Sequence, residues 1–139
     1  MSQTSKIKNL WGDLPVEEAI RTPYVILKEQ ASILTEATNG LLIGNVRKES
    51  FDSDLGSSCL LRITVPSMEN YSVSIVRIRY PKIIYPSEVF NLITDSVSVN
   101  SMKCHTEEEL DIVLGKILSS KEAGRIISGL LSEVRADAE

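Results

Sequence analysis

The sequence predicts an α+β domain in which an N-terminal helix precedes an antiparallel meander of three to four strands and two C-terminal helices follow. Three observations carry this. Apolar residues from Tyr24 to Thr38 recur at steps of three and four, the period of a helix. From Cys59 to Tyr80 the period becomes two, that of a strand. After Thr106 the helical period returns. Alternating strand–helix units, which a parallel nucleotide-binding sheet needs, are absent.

The first helix is announced by Thr22-Pro23: the hydroxyl can cap, and proline suits the first helical position because its missing N–H has no acceptor there. Tyr24, Leu27, Ala31, Leu34 and Thr38 form its stripe, widened by Ile26 and Ile33. Asn39-Gly40 ends it, since both residues tolerate the left-handed conformation. Asp13-Leu14-Pro15 has the same look of a helix start. Before it, residues 1–12 read as a flexible arm, with Trp11 docking the arm onto the body.

Leu41 to Val46 is a short apolar run, and Phe51 to Ser58 a polar loop. In the next segment Cys59, Leu61, Ile63 and Val65 alternate with Leu60, Arg62 and Thr64. Pro66 to Asn70 reads as a turn. From Tyr71 to Tyr80 the inward phase shifts. Val73 and Ile75 share one face; Val76, Ile78 and Tyr80 share the other. That pattern marks a bulge or a strand buried on both sides. Val89 to Ile93 and Val97 to Val99 are shorter apolar pieces. Thr106-Glu107-Glu108-Glu109 is a capping box whose carboxylates suit the positive helix end. Leu110, Val113, Leu114, Ile117 and Leu118 follow at helical spacing, Ser119-Ser120 interrupts, and Ala123 to Val134 continues as a second helix. The domain is expected over residues 13–135, with 136–139 a frayed acidic tail.

With 139 residues, 42% hydrophobic and 24% charged, the chain matches a single folded domain and is neither disordered nor collagenous. The net charge of −4 and the scattered basic residues argue against nucleic acid as a partner. No transmembrane-length apolar run is present and the N-terminus lacks a signal-peptide core, which points to a cytoplasmic protein without membrane contact. Cys59 and Cys104 are then expected as free thiols.

Few residues suggest chemistry. The dispersed glycines make no phosphate loop, and one histidine with two cysteines makes no zinc pattern. Asp52-Ser53-Asp54 lacks the downstream residues of a calcium loop. No cofactor is indicated. Cys104-His105 is the one nucleophile candidate, because a helix start and an imidazole both favour a thiolate. Against it, neighbouring side chains diverge, three glutamates oppose a thiolate, and a lone cysteine commonly packs as a small apolar residue.

Ile78-Arg79-Tyr80-Pro81-Lys82-Ile83-Ile84-Tyr85-Pro86 sets two Tyr-Pro pairs at a strand end, between one preceding helix and two following ones. This layout resembles the ubiquitin-conjugating enzymes and their non-catalytic relatives, the RWD domains. Cys104, 24 residues after Tyr80, stands near the place of the conjugating cysteine. The family's His-Pro-Asn tripeptide is missing; Val99-Asn100-Ser101-Met102 stands there, with Asn100 in the position of the oxyanion-stabilising asparagine. The resemblance therefore implies an inactive, protein-binding version. The Tyr-Pro pairs also have a reading without any family, since proline ends strands and tyrosine covers a core rim.

The expected function is a non-enzymatic protein-interaction domain, adaptor- or immunity-like. Its contacts are sought at Tyr80, Tyr85, Glu107 and Glu108, and its partner is another protein or a second copy in a homodimer. The alternatives are a cysteine-dependent transfer enzyme using Cys104, His105 and Asn100, and a small acidic secretion chaperone.

Overall fold

The computed structural model describes residues 7–16, 20–50, 56–93 and 101–137. The apolar piece 97–99, Asp52, Asp54 and Asn100 lie outside them. The order is α1 (Pro23–Ala37), β1 (Ile43–Ser50), β2 (Ser57–Val65), β3 (Tyr71–Tyr80), β4 (Ser87–Asn91), β5 (Ser101–Cys104), α2 (Glu107–Leu118) and α3 (Lys121–Asp137). All neighbouring strands pair antiparallel, in the order β1-β2-β3-β4-β5. The fold class is thus α+β, with five strands among the described residues rather than three to four. β5 is the addition. Ser101-Met102-Lys103-Cys104 has no apolar alternation, and its pairing with Ser87–Phe90 makes it a strand.

Thr22 caps α1 by accepting the Val25 N–H at 3.3 Å. Asn39 and Gly40 end it at φ 52° and 81°. Ile33, read as part of the apolar stripe, is 57% exposed; it lies about a third of a turn from the Leu27–Ala31 line. Residues 13–16 form no helix. Trp11 does not dock: its side chain is 79% exposed, and its N–H bonds within the arm to Asn9.

Thr35 and Thr38 tie α1 to β1. Thr35 Oγ1 accepts the Gly44 N–H at 2.9 Å, and Thr38 Oγ1 accepts that of Leu42 at 3.2 Å. Gly44 is required where α1 crosses, since a Cβ there would stand 2.5 Å from the Ala31 carbonyl oxygen.

The phase shift in β3 is a bulge. Leu61 opposes Val76 and Arg62 opposes Ser74, which leaves Ile75 as the extra residue. Its carbonyl accepts the Leu92 N–H at 3.0 Å, so the irregularity costs no orphaned oxygen. Ile75 and Val76 are both buried.

Thr106 caps α2 by accepting the Glu109 N–H at 3.1 Å. Glu109 reaches back past the cap and accepts from His105 N–H at 2.7 Å. Ser120 caps α3 through the Ala123 N–H. On α3, Ala123 and Val134 are buried, while Ile126, Ile127, Leu130 and Leu131 are half-buried. The helices and the inward residues of the sheet share one core around Leu27, Leu61, Ile78, Val89 and Leu110.

Candidate functional site

The two Tyr-Pro pairs bracket the link from β3 to β4, and the structure separates their roles. Tyr80 ends β3 with 7% exposure, in the core. Burial raises its phenol, with further raising from Cys59. Beyond it the chain folds into two consecutive tight turns. The Ile84 N–H donates to Pro81 O at 2.9 Å, and the Tyr85 N–H donates to Ile83 O at 2.9 Å. The second is a γ-turn centred on Ile84 at φ 78°. This region is costly for a β-branched residue, and it persists only where surroundings enforce it. Ser87 supplies part of that enforcement. It is fully buried, and its hydroxyl donates to Ile84 O at 2.9 Å. Ile84 turns toward the core, whereas Ile83 is 77% exposed.

Tyr85 lies beside the start of α2. Its hydroxyl is buried and has no hydrogen-bond partner among the described residues. Burial raises this phenol, and the Glu107 and Asp111 carboxylates add to the effect. Glu107 in turn accepts a hydrogen bond from Arg21, which also pairs with Glu29 and lies 3.9 Å from Asp111. Hydrogen bonds donated to Glu29 and Glu107 raise the Arg21 guanidinium further above its ordinary range. Tyr85 and Glu107 are thus brought together. Glu108 is exposed, in the same first turn. Arg21, Ile83 and Asp111 had no signal in the sequence: each gains its place through the fold.

Cys104 closes β5 and is fully buried. Burial raises its thiol and Glu109 raises it further, so the environment works against a thiolate. His105 is exposed, with Nδ1 3.6 Å from Glu109 Oε1. Cys59 is likewise buried, its thiol pushed up to about 12 mainly by desolvation. Both cysteines are free thiols.

Two recesses separate α1 from the C-terminal helices. One, of about 420 Å³, is bordered by Arg21, Gln30, Asp111 and Ser119. The other, of about 240 Å³, is apolar and lined by residues including Leu34, Ile63, Ile75, Leu118 and Ile127, with no titratable side chain. Among the described residues no group of three or more His, Cys, Asp or Glu could hold a metal ion, and no helix is long and apolar enough to cross a membrane. No protein-family model, curated protein or solved structure matches the chain.

Proposed function

We propose that the chain is a non-enzymatic, cytoplasmic protein-interaction domain, akin to the non-catalytic RWD-type relatives of ubiquitin-conjugating enzymes. The observation that carries this is the Tyr-Pro link. A large apolar side chain, Ile83, stands 77% exposed on a strained double turn fastened by Ser87. A rigid loop that displays an apolar tip meets a partner at low entropic cost. Strain held beside such a tip accords with recognition. The buried Cys104 thiol supports the same reading over the transfer enzyme, whose nucleophile needs access and a lowered pKa.

The test is quantitative capture of partners from native lysate with the wild-type chain, Ile83→Asp and Cys104→Ala, each checked for folding by circular dichroism. A partner set retained by Cys104→Ala and lost with Ile83→Asp is expected. Alkylation of Cys104 at neutral pH is expected to run slower than that of a model thiol. Faster alkylation, with a partner trapped as a thioester at Cys104, overturns the reading.

A further inference from the structure

We propose that the solvent face of the sheet is a docking surface for an acidic polypeptide segment. The proposal rests on reading the chain as a protein-interaction domain, and it names the chemistry of the partner.

Strand alternation sorts the residues. In β2, Cys59, Leu61 and Ile63 enter the core, so Ser58, Leu60, Arg62 and Thr64 face the other way, where Ser58 and Leu60 are themselves buried and Arg62 and Thr64 are half-buried. Register extends this face sideways. Arg47 of β1 opposes Leu60, which opposes Arg77 of β3. Arg79 opposes Ser58 on one side and Glu88 on the other, and Glu88 opposes Lys103 of β5. Contacts agree with the assignment. Arg77 Nε stands 3.3 Å from Glu49 Oε1, and the Arg79 guanidinium lies 5.1 Å from the centre of the Phe90 ring.

Five cations therefore share one face: Arg47, Arg62, Arg77, Arg79 and Lys103. Among the described residues Glu49 and Glu88 are the carboxylates on it, so the described part of the face carries an excess of three positive charges on a chain of net charge −4. The basic residues look scattered along the chain only because β1, β2, β3 and β5 each supply one or two. The acid collects instead at the start of α2, in Glu107, Glu108, Glu109 and Asp111.

The bulge at Ile75 is what completes this face. Ser72 and Ser74 face solvent opposite Thr64 and Arg62. An unbroken period of two from there would send Arg77 and Arg79 into the core, with Val76 and Ile78 outward. One extra residue reverses the phase, burying Val76 and Ile78 and turning both arginines out beside Leu60 and Phe90.

The pattern favours a polypeptide over nucleic acid. A phosphate backbone is uniformly charged and cannot avoid Glu49 and Glu88, and Phe90, the one aromatic on this face among the described residues, makes a poor stacking platform. A polypeptide can set carboxylates against the arginines and an apolar side chain against Phe90.

Fluorescence anisotropy of the full chain tests this. The probe is a fluorescein-labelled peptide rich in Asp and Glu with interspersed Leu. Its Asn/Gln twin, an oligothymidylate of equal charge and phosphatidylserine vesicles serve as comparisons. The acidic peptide is expected to bind, more weakly as salt rises, and the twin not to bind. Arg47→Glu/Lys103→Glu, at exposed positions on the two edge strands, is expected to weaken binding about tenfold or more. No peptide binding, an unaffected double variant that is folded by circular dichroism, tighter binding of the oligonucleotide, or binding to vesicles alone overturns the proposal. Partner capture that depends on Ile83 while the peptide fails to bind overturns the sheet-face proposal and leaves the interaction-domain reading standing.

Discussion

At the scale of single residues, buried polar groups decide the most. Ser87 has no exposure, and its hydroxyl donates to the carbonyl of the strained Ile84. Ser87→Ala leaves that carbonyl short of a partner at the point of greatest backbone strain. The expected loss is about 1–2 kcal/mol, read as a lower urea midpoint at unchanged slope. The thiols set the alkaline limit. Cys59 ionises near 9 as an ordinary thiol, and burial moves it to about 12 in the fold. Between those values the unfolded chain gives up its proton and the folded chain keeps it. Stability is therefore full below about pH 9 and falls as pH rises toward 12, by up to about 1.4 kcal/mol per pH unit for this one group. Burial of Tyr80 and Tyr85 acts with the same sign. Denaturant titrations at stepped pH are expected to show a shallower alkaline decline for Cys59→Val.

At the scale of elements, close approach and capping explain why these segments sit where they do. Gly44 lets β1 pass under α1, so Gly44→Ala forces backbone away from backbone and is expected to cost about 2–3 kcal/mol in thermal or urea unfolding. Gly115 is the contrast. It is exposed on α2 with open space at its Cβ position, and Gly115→Ala is expected to raise stability by up to about 1 kcal/mol. Elements with their own period were legible in the sequence: α1 with its Thr22 cap and Asn39-Gly40 stop, the β3 phase shift, and both C-terminal helices. β5 was not, because its four residues are made a strand by β4 rather than by any pattern of their own. The site was half legible. Tyr-Pro spacing marked the link, but which tyrosine is buried, and that Ile83 is its exposed tip, depends on how the turns close. The basic sheet face had no local signal, since its members meet only through register.

At the scale of the whole molecule, charge is divided between the two sides of the sheet. The helical side holds the acid cluster of α2, and the open side holds the arginine rows. This explains how an acidic chain can offer a basic surface, within a screening length of roughly 8 Å in physiological salt.

The strict meander has a kinetic consequence. Each strand pairs with the one before it in the chain, so the sheet can grow hairpin by hairpin with little loop to close at each step. The tie between Arg21 and Glu107, 86 residues apart, has the opposite character. It closes a long loop for a half-buried ion pair and is expected to form after the rate-limiting barrier. In stopped-flow chevrons, Arg21→Gln should then leave the refolding arm in place and speed only the unfolding arm.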